Sequence, residues 1–459
     1  MNLGNYKINS GVIRLPMQHI VIIGNGISGI TAARHIRKKS DFRITVISSE
    51  TDHFFSRTAL MYIYMGHMKY EHTKPYEDYF WKKNRITLKR AFVETVDTEE
   101  QQLYFSDGDQ MAYDKLILAT GSKPNKFGWP GQDLIGVQGL YSFQDLENME
   151  ANTKKVSRAV IVGGGLIGIE MAEMLLSRNI PVTFLVREAN FWDNVLPKEE
   201  AEMIGRHIRE HHIDLKLSTE LKEIVSDDGG RVKAIITGNG EEIPCQFVGL
   251  TAGVTPNIDF LKASNIELGR GIMVNEFLQT SADNVYAIGD CAEFKTPIGE
   301  RKPIEQVWYT GRMMGEALAE TICNKDTAYL PGVWFNSAKF LDIEYQTYGW
   351  VWATPRENEA VFYWEHAEGK KSFRIVFDKA SDEVLGINVF GLRFSHEVCD
   401  EWLKHKKSIQ HVMENLRKAN FDPEFFKRHE TEISENFNQS FPQLAITITK
   451  KKKRFALFG

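Results

Sequence analysis

Six glycines occur in two groups whose spacing is typical of a turn that binds the pyrophosphate of a dinucleotide. They are Gly24, Gly26 and Gly29 in the first group, and Gly163, Gly165 and Gly168 in the second. In such a turn the first glycine permits the tight bend, the second lets the pyrophosphate approach the backbone, and the third lets a helix pack closely on a strand. The two groups are far apart in the chain, so they predict two separate binding domains and not a solenoid repeat.

Each glycine group lies between a short apolar run and a helical pattern. His19 to Ile23 precedes the first group, and Ala159 to Val162 precedes the second. A segment with the apolar spacing of a helix follows each group, and after it comes another strand-like run, FRITVIS or PVTFLV. FRITVIS leads to Ser49 and Glu50, where a carboxylate accepts hydrogen bonds from a ribose. The sequence therefore predicts an α/β fold with two Rossmann-like dinucleotide-binding domains.

The strand PVTFLV ends in residues that give conflicting signals about the nucleotide. Val186 stands where NADH-binding chains usually have an acid, and it is followed by Arg187 and Glu188. A carboxylate accepts from a free 2′-hydroxyl and repels a 2′-phosphate, whereas an arginine binds the phosphate. Arg187 and Glu188 are candidate nucleotide contacts, and NADH and NADPH remain alternatives.

Composition and charge narrow the class of protein. The chain has 459 residues and a net charge of −5, so no overall excess of positive charge points to nucleic acid. No apolar run reaches the ~18 residues of a membrane span, and the first residues lack a secretory pattern, which predicts a cytoplasmic protein. The 4 cysteines are far apart, without a C-x-x-C pair, and the histidines lack a spaced set of carboxylates or cysteines. Neither a disulfide framework nor a metal site is predicted.

Three further segments complete a resemblance to a known family. They are YDKLILATGSKP from Tyr113, TAGVTPN from Thr251 and TSADNVYAIGDCAE from Thr280. Together with the glycine groups, in this order, they resemble the motifs of pyridine nucleotide-dependent flavoprotein reductases with two dinucleotide-binding domains. The resemblance implies FAD in the first domain and NADH or NADPH in the second. It implies a discontinuous FAD domain at residues 18–130 and 255–325, a nicotinamide domain at 140–250, and a smaller C-terminal α+β domain at 331–459.

The segment FFSRTALMYIYMG, which begins at Phe54, separates branches of this family. Disulfide reductases place reactive cysteines against the flavin, but residues 24–244 contain no cysteine. Arg57 instead resembles the arginine beside the flavin pyrophosphate in ferredoxin and rubredoxin reductases, the N-terminal part of nitrite reductases, and apoptosis-inducing factor. The resemblance implies an enzyme that passes electrons from NAD(P)H through the flavin to a protein redox partner, a quinone or oxygen. The alternative is a redox-sensing flavoprotein that regulates a partner with little turnover.

Matching of motifs assigns roles to individual residues. The candidate FAD contacts are Gly24, Gly26, Gly29, Ser49, Glu50, Arg57, Val93, Thr120, Gly121, Gly289, Asp290, Glu305 and Gln306. The candidate nicotinamide-nucleotide contacts are Gly163, Gly165, Gly168, Arg187, Glu188 and Gly253. Asp290 is expected to be a buried carboxylate that binds the ribityl chain, and Trp308 is expected in the core. Glu170 resembles a glutamate near the nicotinamide and is the candidate catalytic residue, although a glutamate there equally suits the helix dipole.

The C-terminal region has its own pattern. The runs AVFYWEH, SFRIVFD and VLGINVFG predict strands, with Phe373, Ile375 and Phe377 on one face, and a helical segment follows from His396 to Lys418. The basic tail KKKKRFALFG, Lys450 to Gly459, is either a disordered end or a docking arm for an acidic electron carrier such as a ferredoxin or rubredoxin, or for an anionic membrane surface. A homodimer contact through this domain is a further implication of the resemblance.

Overall fold

The computed structural model describes residues 17–323, 325–421 and 427–447. Residue contacts divide the chain into two compact units. The described residues of the first unit lie within Met1–Arg57, Tyr70–Lys123 and Thr255–Tyr329, and those of the second within Thr58–Lys69, Pro124–Val254 and Leu330–Gly459. The basic tail, residues 450–459, lies outside the described residues.

The described residues form strands and helices in close alternation. The strands are β1 His19–Ile23, β2 Arg43–Ser48, β3 Ile86–Arg90, β4 Val93–Asp97, β5 Gln102–Phe105, β6 Gln110–Ala112, β7 Lys115–Leu118, β8 Ser122–Pro124, β9 Val137–Gln138, β10 Ala159–Val162, β11 Val182–Leu185, β12 Asp214–Lys216, β13 Leu221–Ser226, β14 Val232–Thr237, β15 Glu242–Pro244, β16 Phe247–Leu250, β17 Val254–Pro256, β18 Ile272–Val274, β19 Val285–Ala287, β20 Ala292–Phe294, β21 Phe335–Phe340, β22 Ile343–Gly349, β23 Glu359–Glu365, β24 Ser372–Asp378 and β25 Val384–Phe390. The helices are α1 Ile27–Lys39, α2 Leu60–Tyr64, α3 Tyr79–Lys83, α4 Phe143–Asn152, α5 Leu166–Leu176, α6 Lys198–Glu210, α7 Trp308–Ile322, α8 His396–Lys404, α9 Ile409–Glu414, α10 Leu416–Ala419 and α11 Glu430–Ser440. Within the described residues, no helix is both long and apolar enough to cross a membrane.

The first unit is built on a five-stranded parallel sheet with the order β19-β7-β1-β2-β3. Strand β1 is the buried apolar run that precedes the first glycine group, and α1 follows that group directly. Both faces of a parallel sheet are covered by other elements, which is why β1 and β7 are almost wholly apolar. A three-stranded antiparallel sheet, β4-β5-β6, completes this unit beside the short pair β18-β20.

Helix α7 packs on α1 through small residues. A Cβ atom at Gly315 would lie 2.6 Å from the carbonyl oxygen of Ser28, and one at Gly311 would lie 2.5 Å from the Ser28 hydroxyl. Any larger side chain at these glycines would force the helices apart, because packed interiors have little spare volume. This close contact fixes the N-terminal ends of α1 and α7 relative to each other.

The second unit repeats the first unit's arrangement. Its parallel sheet has the order β12-β11-β10-β16-β9, with β10 central and α5 directly after the second glycine group. A three-stranded antiparallel sheet, β13-β14-β15, accompanies it, as β4-β5-β6 accompanies the first sheet. The predicted α/β fold with two Rossmann-like domains is confirmed.

The C-terminal region of the second unit forms a five-stranded antiparallel sheet, β21-β22-β25-β24-β23. The three predicted strand runs are β23, β24 and β25, but the predicted helical segment is divided into α8, α9 and α10. The first break is at Lys406, whose φ of 51° no helix can accommodate. The expectation of one apolar face on β24 was also incomplete, because Arg374 and Val376 on its other face are buried too.

Candidate functional site

The first glycine turn has a separate steric reason for each of its three glycines. Gly24 has φ 116°, and a Cβ there would lie 2.0 Å from the carbonyl oxygen of Ala119. A Cβ at Gly29 would lie 2.1 Å from the carbonyl oxygen of Gly24, whereas one at Gly26 would have no protein atom within 4 Å. The first and third glycines are therefore required by packing, and the second faces open space at the N-terminus of α1. This geometry fits a pyrophosphate held by backbone N–H groups.

Two more loops lie at the same edge of the first sheet. After β7, the Thr120 hydroxyl donates to the Asn257 carbonyl at 2.8 Å, and Asn257 N–H donates to the Gly121 carbonyl at 2.9 Å. After β19, Gly289 has φ 76°, and a Cβ there would lie 2.3 Å from the Ser28 hydroxyl of α1. The structure thus brings Thr120, Gly121 and the Gly289–Asp290 turn to the glycine turn, as parallel strands require when their carboxyl ends share one edge.

An ion pair at the end of β2 connects two predicted FAD contacts. Arg57 donates from Nη1 and Nη2 to the two carboxylate oxygens of Glu50, at 2.7 and 2.6 Å. Bidentate pairs of this kind hold both side chains in a fixed orientation. Ser49 beside them is exposed, and Val93 is buried at the start of β4. A ribose near Glu50 and phosphates near Arg57 are compatible with this arrangement.

The structure corrects several expectations about this site. Asp290 is partly exposed and not buried, because it lies in the loop beyond the sheet edge. Trp308 was expected in the core but is 36% exposed, since it is the first residue of α7. Glu305 and Gln306 precede that helix; Glu305 is buried and accepts from Arg301 Nη1 at 2.9 Å, while Gln306 donates to the Ser122 hydroxyl at 2.9 Å. Of these two predicted contacts, Glu305 is buried and Gln306 is exposed.

Sequence reasoning missed three residues that support the first turn. Asn25 is buried and donates from its amide to the Thr51 carbonyl at 2.9 Å, which ties the glycine turn to the loop after β2. Ser28 fills the space between α1 and the glycines of α7, and Arg301 neutralises Glu305.

The second glycine turn has the same design. Gly163 has φ 114°, and a Cβ there would lie 2.7 Å from the Ala252 nitrogen. A Cβ at Gly168 would lie 2.6 Å from the Gly163 carbonyl oxygen, but one at Gly165 would have no protein atom within 4 Å. Helix α5 begins at Leu166 with no acidic residue in its first turn, so its N-terminal N–H groups remain available to an anion.

The loops beside the second turn contain the remaining predicted contacts. Val186 is buried under the turn. A Cβ atom at Gly164 would lie 2.9 Å from a methyl carbon of Val186. Arg187 has a 71% exposed side chain and pairs with Glu188 at 2.9 Å. Gly253, after β16, has φ 86° and accepts from the Asn125 backbone N–H at 3.1 Å.

The comparison with known proteins agrees with the presence of two dinucleotide-binding turns. Residues 18–315 match the family model described as pyridine nucleotide-disulphide oxidoreductase. The chain belongs to this family. It is 31% identical over 71% of its length to an NADH oxidase of Methanocaldococcus jannaschii, covering 74% of that protein. It is 28% identical over 85% of its length to the assimilatory nitrate reductase electron transfer subunit of Bacillus subtilis, but spans only 50% of that relative.

A solved structure shows the same fold. The NAD-dependent persulfide reductase from A. fulgidus superposes with a TM-score of 0.80 at 23% identity, covering 92% of this chain and 84% of that one. Members of the family bind FAD and NAD(P)H, which confirms the two cofactors predicted from the sequence. The steric design of the two glycine turns fits both dinucleotides.

Glu170 lies farther from the N-terminus of its helix than a favourable interaction with the helix dipole requires. It is the fifth residue of α5 and so lies in the second turn, where the dipole contributes little. Burial, with a smaller contribution from Glu173, raises the pKa of the Glu170 carboxyl to about 7. Part of the residue remains exposed. A carboxyl group with a pKa near neutral in the helix that follows the second glycine turn is a candidate proton donor or acceptor.

We expect Glu170→Gln to change how the stability of the protein depends on pH. The folded protein keeps a proton on Glu170 up to a pKa of about 7, whereas the unfolded chain loses it near the ordinary value of 4.5. The contribution of Glu170 to the free energy of unfolding therefore falls as pH rises from about 4.5 to about 7, and it is constant above that range. Urea unfolding of the variant should show a smaller loss between pH 5 and pH 8 than the wild type shows. The same substitution at exposed Glu147 should not alter the pH dependence; identical curves for Glu170→Gln and the wild type would contradict the prediction.

The cysteines do not form a thiol pair against either turn. All four are free thiols; Cys245, Cys291 and Cys399 are buried, and Cys323 is partly buried. Burial raises the pKa of Cys245 to about 12 and also raises the pKa values of the other three thiols. A thiol with a raised pKa is a poor nucleophile at neutral pH.

Each cysteine should be replaceable without loss of flavin reduction. We expect Cys245→Ala, Cys291→Ala, Cys323→Ser and Cys399→Ala to keep the rate at which NAD(P)H bleaches the flavin within about twofold of wild type, because no buried, protonated thiol takes part. Stopped-flow absorbance at equal flavin content is the measurement. A folded, flavin-loaded variant that could no longer be reduced would restore a thiol relay.

Proposed function

We propose that this chain is an NAD(P)H-dependent flavoprotein reductase that delivers electrons to a protein redox partner or a small acceptor. The observation that carries the proposal is the pair of glycine turns, each with an open second glycine at a helix N-terminus. When bound, FAD supplies the redox chemistry, because it accepts a hydride equivalent and releases electrons singly or in pairs. The protein's own residues bind, orient and electrostatically tune the two cofactors.

In this proposal the first unit holds FAD. Backbone N–H groups at the start of α1 and the open face of Gly26 hold the pyrophosphate. Glu50 accepts from the adenosine ribose while Arg57 stays paired with it and presents positive charge to the phosphates. Asp290, partly exposed in the turn after β19, accepts from a ribityl hydroxyl, and Gln306 offers its amide to the ring's polar edge.

Residues 140–250 hold the nicotinamide nucleotide. Gly163 and Gly168 shape the turn, and Gly165 leaves space for the second pyrophosphate. In this proposal Arg187 and Glu188 contact the adenosine ribose of either nucleotide, and their mutual pairing leaves NADH and NADPH both acceptable. Glu170, with its pKa of about 7, holds or releases a proton near the nicotinamide at neutral pH.

The names of two relatives bear on the identity of the electron acceptor. One relative is named an electron transfer subunit and another an NADH oxidase, which favour a protein acceptor and oxygen respectively. With four thiols of raised pKa, electrons leave this chain from the flavin itself. The proposed protein partner is an acidic carrier of the ferredoxin or rubredoxin type, docked by the basic tail at residues 450–459. Deletion of the tail is then expected to weaken reduction of such a carrier, most at low salt, and to leave dye reduction unchanged.

Anaerobic reduction followed by addition of acceptors tests the proposed function. Purified protein should contain one flavin per chain, and either NADH or NADPH should bleach it within seconds. A rubredoxin, oxygen and an artificial dye are then added separately, and the rate of flavin reoxidation is compared. Fast turnover with any acceptor supports a reductase. A flavin that NADH and NADPH both fail to reduce would overturn the proposal, and a reduced flavin that persists with every acceptor would favour the redox-sensing alternative.

A further inference from the structure

Three side chains that commonly bind metal ions meet in the second unit. His207 lies in the last turn of α6, His211 follows the end of that helix, and Asp342 lies in the turn between β21 and β22. Their ligand atoms are all within 4.8 Å of one another. No local pattern predicts this group, because Asp342 is 131 residues beyond His211. Only the fold places the carboxylate against the helix.

The two histidines point at the same oxygen atom. His211 Nε2 lies 3.1 Å from Asp342 Oδ1, and His207 Nε2 contacts that oxygen as well. The His207 side chain is 1% exposed, and both of its ring nitrogens face carboxylate oxygens, Nε2 that of Asp342 and Nδ1 that of Glu210. The Asp342 side chain is 60% exposed, so an ion can reach the group from solvent.

We propose that His207, His211 and Asp342 bind a divalent transition-metal ion of the zinc type. Two imidazole nitrogens spaced by one helical turn, with one carboxylate oxygen, form a ligand set that suits zinc, whereas magnesium and calcium prefer oxygen ligands alone. Three protein ligands leave a fourth position for water.

Neighbouring groups support the ligands. Glu210 Oε2 lies 3.5 Å from His207 Nδ1, the ring nitrogen that faces away from Asp342, and Lys370 Nζ lies 3.5 Å from the same Glu210 oxygen. At 3.5 Å the Glu210 carboxylate places a negative charge beside that nitrogen without a hydrogen bond to it. The bound ion would connect α6 to the C-terminal sheet, so it would stabilise the second unit by binding only the folded state.

A second histidine group, His366, His429 and Glu432, is a weaker candidate. His366 Nδ1 already accepts from the Glu368 backbone N–H at 3.2 Å, and the Trp364 indole donates to Glu432 at 3.2 Å. Part of its ligand capacity is therefore in use. The zinc site is accordingly assigned to the His207 group.

Zinc titration of the full-length, flavin-loaded protein tests this assignment. After treatment with a chelator, the wild type and the variants His211→Gln and His212→Gln are titrated with zinc chloride by calorimetry. His211 is partly exposed, so its replacement should not prevent folding, and His212 is an exposed neighbour outside the group. We expect His211→Gln to bind one zinc ion fewer per chain than the wild type, and His212→Gln to bind as many as the wild type.

Thermal unfolding supplies an independent readout. Zinc should raise the unfolding midpoint of the wild type and of His212→Gln, and should leave that of His211→Gln unchanged. The unfolding midpoint of Asp342→Asn should likewise be unchanged by zinc, because this substitution removes the negative charge of the oxygen that both histidines contact. Equal zinc stoichiometry in the wild type and His211→Gln, or no zinc binding by the wild type, would overturn the proposal and leave the group as an ion pair alone.

Discussion

Gly26→Ala is expected to yield a folded protein that has lost most of its FAD. The new methyl group would meet no protein atom within 4 Å and the backbone there is an ordinary extended one, so folding should be unaffected. The methyl group would instead occupy the space assigned to the pyrophosphate. We expect FAD affinity to fall by at least about tenfold, because the phosphate could no longer reach the backbone N–H groups.

Gly165→Ala is the matched variant in the second turn. It also places a methyl group in open space, so it should raise the KM for NAD(P)H by about tenfold while flavin content stays at the wild-type level. Flavin absorbance after denaturation, far-ultraviolet circular dichroism and steady-state dye reduction distinguish the two variants. Full flavin content in folded Gly26→Ala, or flavin loss in Gly165→Ala, would show that the turns are assigned to the wrong cofactors.

Asp290→Ala is expected to have the second-largest effect, again on flavin content. Asp290 is partly exposed in a turn held against α1 by the close approach of Gly289 to Ser28. Its carboxylate can therefore accept a hydrogen bond from a bound ribityl hydroxyl, and a hydrogen bond to a charged group contributes about 1.5–3 kcal/mol. Loss of that bond should weaken FAD binding by roughly tenfold to a hundredfold.

Two comparison variants separate this effect from damage to the loop. Asp290→Asn keeps a carbonyl oxygen acceptor and should retain more FAD than Asp290→Ala. Asp283→Ala removes an exposed carboxylate just before β19 and should retain all of it. If Asp290→Ala and Asp283→Ala released equal amounts of flavin on denaturation, Asp290 would have no part in binding.

Features that depend on short stretches of chain could be predicted from the amino-acid sequence. The two glycine groups predicted both turns because positive φ angles and close approach of backbone atoms are local requirements, as at Gly24 and Gly163. The order of the motifs then identified the family and its cofactors. Three of the five strands of the C-terminal sheet, β23, β24 and β25, were predicted for the same reason, since alternation of side chains is a property of each strand alone.

Features that join distant segments depend on the packing of the folded chain and could not be predicted from local patterns. The pairing of Glu50 with Arg57, the exposure of Trp308 and the burial of Arg374 depend on which elements pack together. The raised pKa of Glu170 results from burial, which the helix sequence does not specify. The group of His207, His211 and Asp342 shows this limit of sequence-based prediction most plainly. Helical periodicity places the two histidines on one face of α6, but the Asp342 carboxylate belongs to the turn between β21 and β22, 131 residues after His211. Contacts of that range are set by the packing of whole elements, and no local pattern encodes them.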